Sequence, residues 1–271
     1  MKKVLITGNS GYIGSHLSCM LEDDYEVYGL DVRLPQTDRL RDWYNIDIRS
    51  LFSIDVEFDT VVHLAALVNV GESERNPSDY YETNLTGTIN AVKCIKAQNF
   101  IFASTGAATD CKSAYAISKR AAEDVVKQHC KQYSIFRFYN VIGSSGFAPT
   151  NPDGLMYNLL QATKTGSITV FGTDYNTRDG TCIRDYVHVN EICTAIKRAI
   201  EKPTNQTQGL GHGVGYTVAE IIDVFATVNN VTIKTMIAPR RPGDLESSVV
   251  ESVSDYMSNQ YTLCQLLQVK I

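Results

Sequence analysis

The amino-terminal stretch restricts the fold more than any other part of the chain. Residues Lys2–Thr7 (KKVLIT) read as a short buried strand, apolar and β-branched and bounded by glycine. Gly8, Asn9, Ser10, Gly11, Tyr12, Ile13 and Gly14 follow, and then a helical apolar pattern runs through Leu17, Met20 and Leu21. The glycine spacing is G-x-x-G-x-x-G. One glycine permits a tight turn, one lets backbone approach an anionic ligand, and one lets the helix pack on the strand. The helix amino terminus then faces the anion with its partial positive charge. A strand–turn–helix with convenient glycines is the competing reading, so the motif needs support downstream.

That support begins at the second strand, residues 26–30, which ends at Asp31. An acidic residue at this strand end binds the adenosine ribose hydroxyls of a dinucleotide and repels a 2′-phosphate. NAD is therefore expected over NADP. Arg33 opposes this, because an arginine here can accommodate the phosphate, but Asp31 holds the strand end itself.

The rest of the amino-terminal half alternates. Strands are predicted at 60–64, 99–104 and 133–138, with helices over 84–97 and 114–132. Short, continuously apolar strands alternating with helices imply an α/β fold, a doubly wound parallel sheet of Rossmann type with helices on both faces. Residues 1–140 are assigned to this domain. The Gly-, Ser-, Pro- and Asn-rich stretch 143–154 leads into a smaller region, 141–271, from which a segment at about 181–203 returns to the first domain. Ligands bind such sheets beyond the carboxyl ends of the strands. Asp31, Ala65, Ala66 and Thr105 all fall there.

Tyr115 and Lys119 stand at the start of the 114–132 helix. Tyr115, Lys119, Ala122 and Val126 form one stripe, so the polar pair faces inward. An ammonium beside a phenol favours the phenolate and lowers the tyrosine pKa from about 10. Such a group can take a proton from a sugar or alcohol hydroxyl. Thr105 precedes the pair at the end of an apolar run.

Composition narrows the class further. A net charge of −5, with Lys and Arg scattered, argues against a nucleic-acid footprint. The longest apolar runs fall short of a membrane span. Met1-Lys2-Lys3 leads straight into a strand, so no signal peptide is expected and the protein is expected in the cytoplasm. The seven cysteines and five histidines lack ligand spacing, so free thiols and no metal are expected.

Together, the glycine loop, Asp31, Asp47-Ile48, His63-Leu64-Ala65-Ala66, Asn84-Leu85-Thr86-Gly87-Thr88, Ser104-Thr105-Gly106 and Tyr115-x-x-x-Lys119 resemble the extended short-chain dehydrogenase/reductases. Further motifs resemble the UDP-hexose 4-epimerases among them: Gly71-Glu72-Ser73, Arg137-Phe138-Tyr139-Asn140, Phe171-Gly172-Thr173-Asp174-Tyr175, Arg184-Asp185-Tyr186-Val187-His188 and Arg240-Arg241-Pro242-Gly243-Asp244.

The resemblance implies NAD held by Gly8, Ser10, Gly11, Tyr12, Ile13, Gly14, Asp31, Asp47, Ile48, Leu64, Ala65, Ala66, Asn84, Tyr115, Lys119 and Tyr139. Thr105, Tyr115 and Lys119 carry the chemistry. Thr105, Asn140, Leu155, Thr169, Phe171, Arg184, Arg241, Asp244 and Ser248 bind the UDP-sugar, with the arginines on the diphosphate, Phe171 against uracil and Asp244 on ribose. A small residue at Ser248, where relatives carry a bulky tyrosine, leaves room for an N-acetyl group. UDP-GlcNAc/UDP-GalNAc is therefore the expected substrate pair, with UDP-Glc/UDP-Gal also accepted. The resemblance further implies a homodimer. His188 reads as a packing residue.

Three departures stand out: a short link, 106–114, between the Thr105 strand and the Tyr115 helix; Gln208-Gly209-Leu210-Gly211 in place of an apolar strand; and an altered stretch past Asp255. Gly106-Ala107 replaces the Asp-Glu pair of the related dehydratases. A UDP-uronate epimerase, another NAD-dependent nucleotide-sugar enzyme, and a weakly active or non-catalytic NAD-binding protein remain alternatives.

Overall fold

The structure is a computed structural model and describes residues 1–143, 146–241, 243–257 and 261–269. Pro242 of the arginine motif, Ser144 and Ser145 of the connecting loop, and parts of the segment past Asp255 lie outside these residues.

The first half builds strands β1 (Lys2–Thr7), β2 (Tyr25–Asp31), β3 (Asp42–Asn45), β4 (Phe58–His63), β5 (Ala97–Thr105) and β6 (Tyr133–Phe138). Between them lie helices α1 (Tyr12–Leu21), α2 (Val70–Arg75), α3 (Pro77–Tyr80), α4 (Gly87–Cys94) and α5 (Ala114–His129). The second half adds β7 (Asn140–Ile142), α6 (Leu155–Thr165), β8 (Ser167–Phe171), β9 (Ile183–His188), α7 (Val189–Glu201), β10 (Gln206–Leu210), β11 (Gly215–Thr217), α8 (Val218–Val228), β12 (Lys234–Ala238), β13 (Ser247–Ser248) and α9 (Leu263–Leu267).

A seven-stranded sheet runs in the order β10-β6-β5-β4-β1-β2-β3, and every neighbouring pair is parallel. Its central strands are buried on both faces, as a parallel sheet covered by helices requires. On one face Val4, Ile6, Val62 and Ile101 pack with Leu17 of α1 and Ile192 and Ile196 of α7. On the other, Leu5, Val61, Phe100 and Phe102 pack with Ala91 of α4 and Ala122 and Val126 of α5. The smaller region has its own core, built on Leu159, Val170, Tyr186, Ile221 and Phe225.

The sheet is thus the doubly wound one expected, and its details differ in three places. The 84–97 helix is a π-helix over Tyr81–Thr86 followed by α4, and Ala97 already belongs to β5. The 114–132 helix ends at His129, where the Cys130 backbone turns extended. The returning segment is offset: β9 belongs to the smaller sheet with β7, β11 and β13, whereas α7 packs on the large sheet and β10 extends it. Gln208-Gly209-Leu210, unpromising as a strand by composition, is held by pairing with Phe136-Arg137-Phe138.

Candidate functional site

The glycine loop joins β1 to α1. Gly8 has φ of +75°, a conformation that disfavours other residues, and a Cβ there would stand 2.7 Å from Ala65 N. Gly14 is pressed against the loop behind it, where a Cβ would meet Gly8 O at 2.2 Å. No side chain among the described residues caps α1 at Gly11, so the Tyr12 and Ile13 amides open its amino terminus outward. Asp31 is buried at the end of β2, where Ser10 N (3.1 Å) and Arg33 N (2.9 Å) donate to its two carboxylate oxygens. Arg33 lies 3.6 Å from the same carboxylate. A backbone cradle at an uncapped helix end, with a fixed carboxylate at the next strand, fits a dinucleotide.

Behind this loop runs a buried chain that sequence reasoning did not foresee. Thr7 Oγ1 lies 2.7 Å from His63 Nδ1, and His63 Nε2 lies 3.1 Å from Thr88 Oγ1, whose hydroxyl donates to Asn84 O at 2.6 Å. With the Thr88 proton committed to Asn84, Nε2 of His63 carries the ring hydrogen and Nδ1 accepts from Thr7. Burial pushes His63 down to about 3, with Lys119 adding in the same direction, so the ring is neutral. Thr7 Oγ1 accepts from Ala65 N at 3.3 Å, which places Ala65 over the loop. The Asn84 side chain accepts from Leu67 N (2.8 Å) and donates to Leu67 O (3.0 Å) and Ser118 Oγ (3.1 Å). Its amide hydrogens are therefore committed to protein, and it acts as a clip between the 64–68 segment and α5.

Asp47 and Ile48 follow β3. Arg49 grips the Asp47 carboxylate at 2.6–3.0 Å and holds it below the usual carboxylate range. The Ile48 side chain is buried against Gly87. Leu64 and Ala66 lie in the segment that follows β4.

Thr105, Tyr115 and Lys119 converge where β5 ends and α5 begins. Ser113 caps α5 by accepting from Ala116 N at 3.1 Å, and Glu74 of α2 accepts from Ala114 N at 2.9 Å. These contacts fix the first turn, which carries Tyr115. The Tyr115 ring packs edge-on against the buried ring of Tyr80, with Thr105 acting on its phenol. Lys119 is 3% exposed, with Nζ 4.2 Å from the centroid of the Phe102 ring.

The electrostatics correct one expectation. Lys119 does not lower the Tyr115 pKa in this structure: burial raises it, opposed by Thr105. Lys119 is itself pushed down to about 7 by burial, against the pull of Glu123. Both groups are buried, and desolvation outweighs a mutual attraction that needs the charged forms. Glu123, one turn beyond Lys119, has no exposed side-chain surface. It accepts from Ser104 Oγ (2.6 Å) and from Arg137 (both bonds 2.8 Å) and pairs with Arg120 at 3.1 Å, which holds its carboxyl below the usual range. Its sequence signal is an acidic residue four places after Lys119 on the inward stripe.

Thr105 and Tyr115 open into a cleft of about 290 Å³ between the large sheet and the smaller region. The same cleft is lined by Tyr139, Asn140, Leu155, Thr169, Phe171, Arg184, Arg241, Asp244 and Ser248, so every expected sugar-nucleotide residue borders one space. They come from separate elements: Asn140 from β7, Leu155 from α6, Thr169 and Phe171 from β8, Arg184 from β9 and Ser248 from β13. Ser248 is paired beside Arg184 in the small sheet. Arg241 donates to Asp244 at 3.0 Å, Arg184 stands 3.7 Å from the same carboxylate, and the Arg241 guanidinium covers the Phe171 ring at 4.7 Å. Two guanidinium groups share one carboxylate, which leaves a local positive surplus at that point, while the cleft lining as a whole sets Lys112, Arg184 and Arg241 against Asp110, Asp153 and Asp244. His188 does not border it. It caps α7, accepting from Asn190 N at 3.1 Å, and stacks on Tyr261 at 4.2 Å.

Among the described residues, no His, Cys, Asp and Glu group is arranged to hold a metal, and no helix is long and apolar enough to cross a membrane.

Comparison with known proteins agrees with this geometry. Residues 4–212 match the NAD dependent epimerase/dehydratase family. The chain is 31% identical to the UDP-glucose 4-epimerase of Haemophilus influenzae over 294 aligned positions, which take in 89% of this chain and 87% of that one. The aligned stretch of this chain is shorter than the alignment, so the relative carries insertions that this chain lacks. A UDP-glucose 4-epimerase structure from Stenotrophomonas maltophila, with bound NAD and formylated UDP-arabinopyranose, superposes with a TM-score of 0.85 at 25% identity, covering 98% of this chain and 96% of that one. The UDP-Glc/GlcNAc 4-epimerase of Campylobacter jejuni superposes with a TM-score of 0.74 at 26% identity, covering 98% of each chain. The chain belongs to the NAD dependent epimerase/dehydratase family.

Proposed function

We propose that the protein is an NAD-dependent UDP-hexose 4-epimerase that interconverts UDP-GlcNAc and UDP-GalNAc and also accepts UDP-Glc and UDP-Gal. The observation that carries this reading is that Thr105 and Tyr115 border the same cleft as Arg184, Arg241, Asp244 and Ser248. Bound NAD supplies reversible two-electron oxidation at the sugar and a cationic ring that favours a nearby phenolate.

The chain's own residues do the rest. The glycine loop and Asp31 hold the dinucleotide. Tyr115 takes the proton of the sugar 4-hydroxyl and later returns it. Thr105 hydrogen-bonds that hydroxyl and aligns it. Protonated Lys119 adds the second positive charge that a buried phenolate needs. Arg184 and Arg241 receive the diphosphate by exchanging Asp244 for phosphate oxygens, a geometry a guanidinium suits. Anchored there, the sugar can turn over between oxidation and reduction while the nucleotide stays put.

The N-acetyl preference rests on Ser248, a small side chain on the cleft wall beside Arg184. Pairing with a second copy through α4 and α5 is the expected assembly, supported by Ile117, an apolar side chain left exposed on α5.

The test incubates purified protein with each UDP-sugar and follows the anomeric protons by NMR, without added NAD. Interconversion of UDP-GlcNAc and UDP-GalNAc supports the reading. A protein that arrives with NAD and turns over none of the sugars overturns it.

A further inference from the structure

Tyr139 lies between two glycines, one just past β5 and one on β10. It follows β6, which lies between β5 and β10 in the sheet. A Cβ on Gly106, just past β5, would stand 2.9 Å from Tyr139 Cε1 and Cζ. A Cβ on Gly209 of β10 would stand 3.3 Å from Tyr139 Cε2. One edge of the ring therefore lies against each glycine, and alanine at 106 would collide with it. Both glycines fall in segments that the sequence marks as unusual, the short 106–114 link and Gln208-Gly209-Leu210-Gly211. The missing Cβ at Gly106 clears the Tyr139 ring, and the one at Gly209 clears chiefly Val250 Cγ2, at 2.4 Å, with the ring at 3.3 Å. Tyr139 borders the cleft together with Thr105, Gly106 and Asn140.

A second contact braces the link. Arg137 reaches Thr109 Oγ1 at 3.1 Å while its other nitrogens hold Glu123. Behind Thr105 there is thus a short, anchored turn with an aromatic plate against it. The residues between β5 and α5 form one 3₁₀ turn, Gly106–Thr109, and the approach to Ser113, with little chain to fold over the sugar.

We propose that Tyr139, seated between Gly106 and Gly209, is the wall that retains the oxidised sugar beside Thr105. This inference rests on the epimerase reading. An epimerase must keep its 4-keto sugar until it is reduced again. If the ketone escapes, the C4 hydrogen and its electron pair stay on the cofactor as reduced nicotinamide. The hydroxyl proton has passed to Tyr115, and the sugar leaves with a C4=O bond in place of C4–H and O–H. Each escape strands one enzyme in the reduced form. The rigid ring prevents this without a long loop.

The test compares the parent with Tyr139→Ala and Tyr139→Phe as purified holoenzymes given UDP-GlcNAc. Released ketone is separated from the enzyme by ultrafiltration, then reduced with borodeuteride and read by mass spectrometry as nucleotide sugar carrying deuterium at C4. The reduced cofactor is read by its near-ultraviolet absorbance. Tyr139→Ala should release ketone on the order of tenfold faster per turnover than the parent and accumulate reduced cofactor. Tyr139→Phe keeps the ring and should leak far less than Tyr139→Ala. Gly106→Ala, which drives a methyl into the ring edge, should leak as Tyr139→Ala does, and it serves if Tyr139→Ala does not fold. A tight Tyr139→Ala or Gly106→Ala beside an epimerising parent overturns this inference alone, as does a Tyr139→Phe that leaks like Tyr139→Ala. A parent that does not epimerise overturns the functional reading as well.

Discussion

Thr105, the last residue of β5, and Tyr115, on the first turn of α5, border one cleft at the mouth of the sheet, and both are buried. One comes from a strand and the other from a helix, so the pair is brought together by two elements at once. Tyr115→Phe keeps the ring against Tyr80 and removes the phenol oxygen that takes the proton. Turnover should fall by about 10²–10⁴-fold, measured by NMR, while bound NAD persists in the purified protein. Thr105→Val should lower kcat less, because the phenol remains.

Arg184 and Arg241 face each other across Asp244. A charge-assisted bond to a phosphate contributes about 1.5–3 kcal/mol. Arg241→Met should therefore raise KM for a UDP-sugar by roughly 10- to 150-fold with a smaller change in kcat. Initial rates over a range of UDP-GlcNAc concentrations measure this. A fall in kcat with unchanged KM would assign Arg241 to something other than nucleotide binding.

Ser248 is the small residue on the cleft wall. Ser248→Tyr should close the space for an N-acetyl group. The expected result is a large loss of kcat/KM on UDP-GlcNAc and a modest one on UDP-Glc, read by competing the two substrates in one tube. Equal losses on both sugars would show that position 248 does not sort them.

Much of this arrangement is legible in the sequence because each signal is local and carries its own geometry. The glycines at 8, 11 and 14 need only a strand before them and a helix after. Tyr115 and Lys119 need only helical spacing. The contributors to the cleft are recoverable because their motifs occur in order, although nothing local says that β8 and β13 border the same cleft. The illegible features depend on distant partners. No spacing marks the π-turn over Tyr81–Thr86, which turns the Asn84 amide toward Leu67 and Ser118. Gln206–Leu210 is a strand only because Tyr133–Phe138 offers it an edge. The reversal at Tyr115 follows from burial, which a helical wheel does not report.

His63 and His188 bear on acid stability. The folded protein holds them near 3 and 4, both below the ordinary 6.5, mainly because burial disfavours the charged ring. Below about pH 6.5 the unfolded chain binds protons that the folded chain does not, so stability falls as pH drops toward the folded values. Each unit of difference is worth about 1.4 kcal/mol. Denaturant midpoints should therefore decline steadily from about pH 7 to about pH 5. His63→Gln should make that decline shallower, at some cost in stability at neutral pH. An unchanged slope would mean that His63 does not titrate on unfolding.

Glu123 joins the strand that carries Thr105 to the helix that carries Lys119, and its charge opposes the burial of Lys119. Glu123→Gln keeps the size and removes the charge. It leaves Arg137 partly uncompensated; since Arg137 is 21% exposed, the loss should lie toward the low end of the roughly 3–5 kcal/mol typical of a broken buried pair. The more specific effect is on Lys119. Burial disfavours its charge and Glu123 on its own helix favours it, while Lys119 in turn helps to keep the His63 ring on β4 neutral. Without Glu123, burial acts unopposed and the Lys119 pKa drops below about 7. Less Lys119 is then protonated at a given pH, so the alkaline limb of the kcat profile should move to lower pH in Glu123→Gln. A purely structural role for Glu123 predicts a uniform drop across the profile. Profiles of the parent and the variant, taken at a temperature where both are folded, separate the two.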